Sequence, residues 1–327
     1  MPRKLIIDTD TAADDSFALL VGLLHPEADL RAVTIVAGNV DFDQQVSNAL
    51  ITINQAGRSG EVPVYKGATD PLVRPWFEAS AHGDGKGNVD WPEPTQTAEH
   101  AHAASAIVDI VNAHPGEIDI LAIGPLTNIA LALAMDRDLP SKLKELWIMG
   151  GCDNSIGNVT AAAEYNFYVD PEAAQMVLAA GFSTTIVTWT LTLAQATWSD
   201  AQLEDIKALD TPLSLFFSAL DKPNRDYNET VGVPGSTHPD SLAAMLMVEP
   251  SLITSSSRRY VAVETSSELT RGYSLMDHRD NRAAGSGEAN ATVIDSIDAE
   301  GFYQRYTALL HTPVTRNSVR VPGETWP

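Results

Sequence analysis

Short apolar runs alternate with amphipathic segments through the first two thirds of the chain. Residues 4–7 (KLII) are typical of a buried parallel strand, and residues 16–24 have the spacing of a helix with one apolar face. The alternation continues with predicted strands at 30–37, 62–65, 118–123, 145–149 and 184–190 and predicted helices at 42–56, 98–114, 126–134 and 171–180. Strands alternating with helices predict an α/β fold, with a central, mostly parallel sheet flanked by helices in a single domain.

Two polar stretches interrupt this alternation, at residues 74–99 and 221–239. We interpret both as mobile loops beside a functional site, because long loops inside a domain often serve a site; plain surface excursions are the alternative. From residue 259 the pattern favours β structure, followed by a helix at 299–310. We therefore predict a catalytic domain over residues 1–310 and a loose tail over 311–327.

Carboxylates are concentrated directly after the first strand. Four of them fall within eight residues: Asp8, Asp10, Asp14 and Asp15. Open α/β sheets bind ligands at the carboxyl ends of their strands, and no Lys or Arg occurs between Leu5 and Leu30 to compensate these charges. The first turn of any helix favours acids, which explains the last two but not the first two. A divalent metal held by oxygen ligands is the simplest interpretation.

Composition narrows the possible partners. The formal net charge of −22 over 327 residues argues against nucleic acid and anionic membranes as partners. The single cysteine excludes an internal disulfide and, together with the absence of a charged-then-apolar leader, predicts a cytoplasmic protein. No apolar run is long enough to span a bilayer, which needs about 18 residues.

Further motifs follow the acidic one in a fixed order. They are Gly38-Asn39, the run from His82 through Gly83, Gly85 and Gly87, the GPLTNIA run at 124–130, Met149-Gly150-Gly151, Asn158, the EYNF run at 164–167, the DPEAA run at 170–174 and Asp240. With Asp8-Thr9-Asp10 and Asp14-Asp15 as a DxDxxxDD signature, this set resembles the inosine–uridine-preferring nucleoside hydrolases over residues 5 to about 245. The resemblance implies a Rossmann-like core and a calcium-dependent enzyme, a homodimer or homotetramer, that hydrolyses the N-glycosidic bond of ribonucleosides to ribose and free base.

The resemblance also implies which residues bind calcium. They would be Asp10, Asp15, Asp240 and the backbone carbonyl of Ile123, a hard oxygen set that suits Ca²⁺ better than Zn²⁺. A water bound at the metal would attack the anomeric carbon, with Asp10 as its general base. The transition state would resemble an oxocarbenium ion, which nearby carboxylates stabilise.

Substrate contacts are carried over in the same way. The residues implied to hold the ribose are Asp14, Asn39, Met149, Asn158, Glu164 and Asn166. Asp8 would support the metal ligands through hydrogen bonds. Tyr227 and tryptophan rings could stack on the base. Each of these residues alone has an ordinary explanation as a turn, cap or surface residue, so the interpretation depends on the ordered set.

The leaving-group acid is where the chain departs from the family. Several members carry a histidine directly before the last aspartate, a position occupied here by Pro239. His238, one residue earlier, is therefore a weak candidate acid, and a surface or capping histidine is the alternative. His82 is the second candidate acid that could reach the base.

Two other functions compete with this interpretation. The residues Asp8-x-Asp10 also fit the nucleophile motif of haloacid-dehalogenase-type, Mg²⁺-dependent phosphatases, but lysine is scarce and no later acidic pair follows a strand. A non-catalytic nucleoside- or sugar-binding protein would not require the intact set of Asp10, Asp15 and Asp240. A purely structural protein would not require buried acids at a strand end.

Overall fold

Twelve strands and twelve helices are assigned in the computed structural model, which describes residues 2–79, 83–230, 232–279 and 287–314. The strands are β1 (Arg3–Thr9), β2 (Ala28–Ile35), β3 (Val64–Lys66), β4 (Ile118–Ala122), β5 (Glu145–Met149), β6 (Thr184–Val187), β7 (Thr197–Trp198), β8 (Ser236–Thr237), β9 (Ile253–Arg259), β10 (Val261–Val263), β11 (Ser274–Met276) and β12 (Ala291–Ile297). The helices are α1 (Ala13–Leu24), α2 (Phe42–Gln55), α3 (Ala103–Ala113), α4 (Thr127–Met135), α5 (Leu139–Lys142), α6 (Tyr165–Val169), α7 (Pro171–Leu178), α8 (Trp189–Gln195), α9 (Asp200–Lys207), α10 (Pro212–Thr230), α11 (Pro239–Val248) and α12 (Ala299–Leu309).

Eight of the strands form one sheet in the order β3-β2-β1-β4-β5-β6-β12-β9. All neighbouring pairs in it are parallel except β12 with β9, which are antiparallel. The strand order reverses between β1 and β4, which is the topological switch point where such sheets bind ligands. The predicted fold class, a mostly parallel α/β sheet flanked by helices, is confirmed.

Two apolar layers cover the faces of this sheet. In β1, Leu5 and Ile7 belong to the layer that holds α1, α2, α10 and α11, whereas Ile6 belongs to the layer that holds α3, α4 and α7. Successive residues of a strand point to opposite faces, so a continuous apolar run is what a doubly covered strand requires. Packing on both faces holds the strand ends, and the residues that follow them, in fixed positions.

Two of the predicted elements are wrong. The strand predicted at 184–190 ends at Val187, because the Thr188 hydroxyl accepts a hydrogen bond from the Leu191 amide (3.1 Å) and starts α8. The loop predicted at 221–239 is helical up to residue 230, since α10 continues through Pro223. Strands β9 and β12 were not predicted individually; β9 lies at the sheet edge with most side chains at least partly exposed, so it lacks the apolar alternation of a half-buried strand.

The predicted division into residues 1–310 and 311–327 stays a prediction, and residues 315–327 lie outside the described part of the chain. The large sheet takes strands from both halves of the chain, up to β12. Among the described residues, every helix is too short or too polar to cross a membrane.

Candidate active site

A cavity of about 480 Å³ opens at the carboxyl ends of the central strands. Its lining includes residues that follow or end three strands in the middle of the sheet: Asn39 after β2, Ile123 after β4 and Met149 at the end of β5. All seven residues predicted to bind substrate line it: Asp14, Asn39, Met149, Asn158, Glu164, Asn166 and Tyr227. The structure thus brings residues from distant parts of the chain together in one cavity.

Three carboxylates converge at the acidic end of the site. Oxygen atoms of Asp14, Asp15 and Asp240 lie within 4.8 Å of one another, and all three residues are buried. Asp14 and Asp15 belong to the first turn of α1, and Asp240 belongs to the first turn of α11. Each helix thus directs its N-terminal end toward the same point, where its partial positive charge lowers the cost of holding anions together.

Asp10 lies next to this trio and is held from one side. The Asn39 amide donates to Asp10 Oδ2 (2.9 Å), and the Asn39 side chain donates to Asp15 Oδ2 (3.1 Å). Asp10 Oδ1 is buried and has no hydrogen-bond partner among the described residues. A Cβ on Gly38 would lie 1.9 Å from Asp10 Oδ2, so any residue larger than glycine would clash with the Asp10 side chain at this position. One carboxylate oxygen of Asp10 thus has no hydrogen-bond partner, although Asp10 itself is not among the described residues that line the cavity.

Crowding of these acids changes their ionisation. Burial, and then the charges of Asp15 and Asp14, raise the pKa of Asp10 well above its usual value. Burial and the neighbouring carboxylates do the same to the pKa of Asp240, and burial raises the pKa of Asp14 to about 6. The described residues that line the cavity include no Lys, Arg or His to offset this charge. Buried carboxylate oxygens without a cationic side chain fit a hard divalent cation.

The metal set that the sequence predicted differs from this trio in one respect. Asp15 and Asp240 belong to both sets, whereas the trio holds Asp14 in the place of Asp10. The carbonyl of Ile123, also predicted as a ligand, lines the cavity and accepts a hydrogen bond from the Asn166 side chain (2.9 Å). Asp14, which the resemblance implied to hold the ribose, therefore also lies among the carboxylates that could hold a metal ion.

Asp8 lies behind the acidic end and is enclosed by polar side chains. Its Oδ1 accepts hydrogen bonds from the Thr34 hydroxyl (2.5 Å) and from the Asn128 amide group (2.8 Å). Burial nevertheless raises the pKa of Asp8 to about 7. Asn128 also accepts a hydrogen bond from the Ala68 amide (2.9 Å), so it joins three segments below the site. No role was assigned to Asn128 from the sequence, although it lies within the GPLTNIA motif.

Glu164 and Asn166 join the ends of β4 and β5 to α6. Glu164 caps α6 and accepts hydrogen bonds from the amides of Asn166 (2.7 Å) and Gly151 (2.7 Å). Asn166 donates through its side chain to the carbonyls of Ile123 (2.9 Å) and Met149 (3.1 Å). Burial raises the pKa of Glu164 to about 7 even though backbone amides favour its charged form. These contacts fix a polar wall beside the acidic end.

The remaining wall is largely apolar and was mostly missed by the sequence analysis. Side chains not assigned from the sequence here are Phe77, Ile156, Val159, Leu193, Asn224, Asn228 and Val233, together with Trp189. The two stretches interpreted as loops beside the site both contribute, with Phe77 from the first and Tyr227 from the second. Ile156 lies in a loop and is 70% exposed, and no periodic pattern in the sequence marks it as part of the site.

His238 lies outside the cavity lining, in an aromatic cluster. Its ring is 3.9 Å from that of Trp198 and 5.6 Å from that of Phe217. It is fully buried, so the expectation of a surface histidine is wrong; it occupies the N-cap position of α11, but its side chain makes no capping hydrogen bond. Burial lowers the pKa of His238 to about 3, which keeps the ring neutral. This placement gives no support to His238 as the leaving-group acid. His82, the other predicted acid, lies outside the described residues.

The fold and the site together define a class: an α/β protein with an acidic site for an oxygen-liganded metal and a deep, partly apolar cavity at the switch point of its sheet. Comparison with known proteins makes this specific. The model of the inosine–uridine preferring nucleoside hydrolase family matches residues 5–304. The chain is 37% identical over 319 residues to uridine nucleosidase 1 of Arabidopsis thaliana, covering 95% of this chain and 94% of the relative. It is 34% identical over 284 residues to the inosine–uridine preferring nucleoside hydrolase of Leishmania major, covering 85% and 89%.

Solved structures agree with these sequence relatives. A plant nucleoside hydrolase superposes with a TM-score of 0.87 at 29% identity, covering 96% of this chain and 100% of the other. A purine-preferring ribonucleoside hydrolase from Gardnerella vaginalis gives 0.86 at 28%, covering 94% and 98%. The chain belongs to the inosine–uridine preferring nucleoside hydrolase family and is an N-glycosyl hydrolase of ribonucleosides. This assignment replaces the phosphatase and the non-catalytic alternatives.

Proposed function

We propose that this enzyme hydrolyses the N-glycosidic bond of inosine- and uridine-type ribonucleosides in a calcium-dependent reaction that releases ribose and free base. One observation carries the proposal: carboxylates converge at one end of a cavity whose other end is uncharged and aromatic. A nucleoside has the same polarity, with a ribose rich in hydroxyls and a flat base. The relatives named above as uridine and inosine–uridine hydrolases support this choice of substrates.

The acidic end is the proposed calcium site. Asp15 and Asp240 would hold the ion together with Asp10 and the carbonyl of Ile123, and Asp14 would bind the ribose hydroxyls. When bound, the ion supplies positive charge that lowers the pKa of water and attracts the ribose hydroxyls. Carboxylate and carbonyl oxygens are the ligands that Ca²⁺ prefers, and the pKa values raised in its absence are those that a cation would lower.

Asp10 is the proposed general base. Its Oδ2 is fixed by the Asn39 amide, which leaves the buried Oδ1 to accept a proton from water. The water oxygen then bonds to the anomeric carbon while the bond from that carbon to the base nitrogen breaks. The electron pair of the broken bond leaves with the base, which takes a proton from solvent, while Asp10 releases the proton of the attacking water to solvent and the sugar keeps the hydroxyl group.

The polar wall has two proposed roles in this step. Asn39, Asn158 and Asn166 would hold the ribose hydroxyls by hydrogen bonds, which fixes the anomeric carbon near Asp10. Positive charge develops on the sugar as the bond breaks, and the carboxylates of Glu164 and Asp14 would stabilise it. On the other side, the rings of Tyr227 and Trp189 would pack on the base.

A substrate panel with metal control tests this proposal. Inosine, adenosine, guanosine, uridine, cytidine and nicotinamide riboside are incubated with enzyme in Ca²⁺, and released reducing sugar is measured. We expect ribose from uridine and inosine, complete loss of activity after a tight chelator and recovery on adding Ca²⁺. Undiminished activity in verified metal-free enzyme would reject the metal mechanism, and no ribose from any substrate would reject the activity. Assembly as a homodimer or homotetramer and a cytoplasmic location remain predictions.

A further inference from the structure

The loop between β5 and α6 brings Asn158 to the cavity. The side-chain oxygen of Asn158 accepts a hydrogen bond from the Tyr165 amide (2.8 Å), which leaves the two N–H groups of its side chain for a sugar hydroxyl. Just before it, none of residues 155–157 makes a hydrogen bond with another described residue. The position of Asn158 therefore depends on how the earlier part of the loop is held.

Asn154 is the residue that fixes the loop directly before this stretch. Its side chain donates to the carbonyl of Met276 (2.6 Å) and accepts a hydrogen bond from the amide of Met276 (3.0 Å). The Tyr273 hydroxyl also donates to the side-chain oxygen of Asn154 (3.1 Å). None of these three residues is among the described residues that line the cavity. Because Met276 belongs to β11, the small β10–β11 sheet holds the loop from outside the cavity.

The start of the loop is held by separate contacts. The Ser274 hydroxyl accepts a hydrogen bond from the Cys152 amide (2.7 Å) and donates to the Cys152 carbonyl (2.7 Å). The Asp153 amide donates to the Thr190 hydroxyl (2.9 Å). Loss of the Asn154 side chain would leave these contacts in place, so we expect the change to be confined to the part of the loop that follows it.

We propose that Asn154 is a positioning residue for the ribose: by tying the loop to β11, it holds Asn158 where the N–H groups of Asn158 reach a sugar hydroxyl. This role rests on the proposed function, since it assumes that Asn158 binds the ribose. Asn154 would touch neither sugar nor base and would act only through Asn158. A contact away from the reacting atoms stabilises the bound substrate and the transition state alike, so its loss changes KM and leaves kcat nearly unchanged.

A double-mutant cycle tests this role. Asn154→Gly removes the side-chain hydrogen bonds and keeps the left-handed backbone (φ of +48°), which glycine adopts readily. Asn158→Ala removes the amide group that would contact the sugar. With uridine and inosine in Ca²⁺, we expect either variant to raise KM about tenfold, the effect of losing one good hydrogen bond, and to leave kcat within about twofold. In the Asn158→Ala background, Asn154→Gly should raise KM no further.

Asp210→Gly is the matched control. Asp210 is another exposed residue with a left-handed backbone (φ of +50°), it does not line the cavity, and its replacement should leave KM and kcat unchanged. Circular dichroism checks the fold of each variant. If Asn154→Gly does not fold, Asn154→Asp takes its place and should raise KM in the same direction, because aspartate tolerates this backbone but cannot donate to the Met276 carbonyl.

Several results would overturn this role of Asn154. They are an unchanged KM in Asn154→Gly, a further rise in KM when this change is added to Asn158→Ala, and a loss in kcat as large as the rise in KM. An unchanged KM in Asn158→Ala would overturn it as well, because Asn158 would then not hold the ribose, whereas cleavage of uridine or inosine by wild type would still support the proposed function. A wild type that cleaves neither nucleoside would instead overturn the proposed function and this inference with it.

Discussion

Asp8 and Asp10 are two residues apart at one strand end, yet their surroundings differ. Asp8 accepts hydrogen bonds from Thr34 and Asn128 and is enclosed by protein. Asp10 accepts a hydrogen bond from a backbone amide on one oxygen, and its other oxygen has no partner among the described residues. Alternation along the strand does not separate the two residues, because residues two apart point to the same side. They differ because Asp8 lies within β1, between β2 and β4, whereas Asp10 follows the end of the strand. Burial of both raises their pKa values, so neither is an ordinary surface acid.

Asp10→Asn should abolish turnover without unfolding the protein. An amide nearly keeps the shape of the carboxylate and can still accept the Asn39 hydrogen bond, but it cannot take a proton from water. We expect kcat to fall at least about a thousandfold, the combined scale for a general base and one metal-site oxygen. Ribose release is measured with Ca²⁺ present, and circular dichroism checks the fold. Asp43→Asn, an exposed acid in α2, is the matched control. More than a tenth of wild-type activity in Asp10→Asn would refute its role as base.

Asp221→Asn should stabilise the protein at alkaline pH. Asp221 is 2% exposed, and burial raises its pKa from 3.8 to about 7 although the Ser236 hydroxyl donates to it (2.6 Å). Because the folded pKa is the higher one, its contribution to stability is fully present below about pH 4 and is lost as pH rises through about 7. At about 1.4 kcal/mol per pKa unit, the gain for Asp221→Asn at pH 8 is up to about 4 kcal/mol.

Urea unfolding at pH 5 and pH 8 measures this effect. Asp226→Asn, an exposed acid one turn further along α10, is the control and should change stability little at either pH. A gain for Asp221→Asn that is the same at both pH values would show that the carboxyl group of Asp221 does not titrate in this range.

At the scale of elements, the sequence was most informative where burial on both faces leaves a continuous apolar run. Strand β5 was predicted to the residue, and β1, β4 and α2 to within a few residues, because turn signals bound each run. Helix α10 was not predicted, and its residues from 221 onward were interpreted as a loop, since Pro223 and its polar neighbours are typical of loops. The acidic strand end could be recognised locally, whereas Asn224 and Ile156 join the site only through the fold.

The proline in α10 is accommodated by a neighbouring segment. Proline has no amide hydrogen, so Pro223 cannot bond to the carbonyl of Ala219 one turn earlier. Gly87 packs against that same carbonyl: it has a φ of +77°, and a Cβ there would lie 2.3 Å from the Ala219 oxygen. Trp91 from the same segment packs on Phe216 of α10, with ring centroids 5.0 Å apart. The segment that contains Gly87 and Trp91 therefore packs closely against α10, which lines the cavity.

Gly87→Ala should destabilise the protein more than Gly60→Ala. Both glycines have positive φ, +77° and +82°, and both substitutions incur the cost of a left-handed backbone, about 1 kcal/mol. Only Gly87 also has backbone within contact distance, since nothing lies within 4 Å of a Cβ at Gly60. We expect Gly87→Ala to cost about 2 kcal/mol more by overpacking. Urea unfolding of the two variants measures the difference. Equal losses in the free energy of unfolding would show that the segment around Gly87 shifts to accommodate the added methyl group.

At the scale of the whole molecule, charge is the unusual feature. The chain carries 43 acidic and 21 basic residues, so most acids have no basic partner to neutralise them. Exposed ion pairs contribute little each, about 0–1 kcal/mol, so they cannot offset the repulsion among the surplus acids. The same surplus disfavours anionic ligands at a cavity that already contains Asp14, Glu164 and Asp240.

The excess of acids makes a prediction about salt. Repulsion between exposed charges is screened over about 10 Å at 0.1 M salt and over about 3 Å at 1 M. Raising NaCl from 0.05 to 1 M at pH 8 should therefore increase the melting temperature of the chelator-treated protein, by about 2–5 °C for a chain of this size. Screening of favourable ion pairs acts in the opposite direction but is the smaller effect, because acids outnumber bases by two to one.

At pH 4.5, close to the isoelectric point of about 4.5, net repulsion disappears and the same increase in salt should leave the melting temperature nearly unchanged. A melting temperature that falls with salt at pH 8 would mean that ion pairs, and not repulsion, dominate the surface of this enzyme.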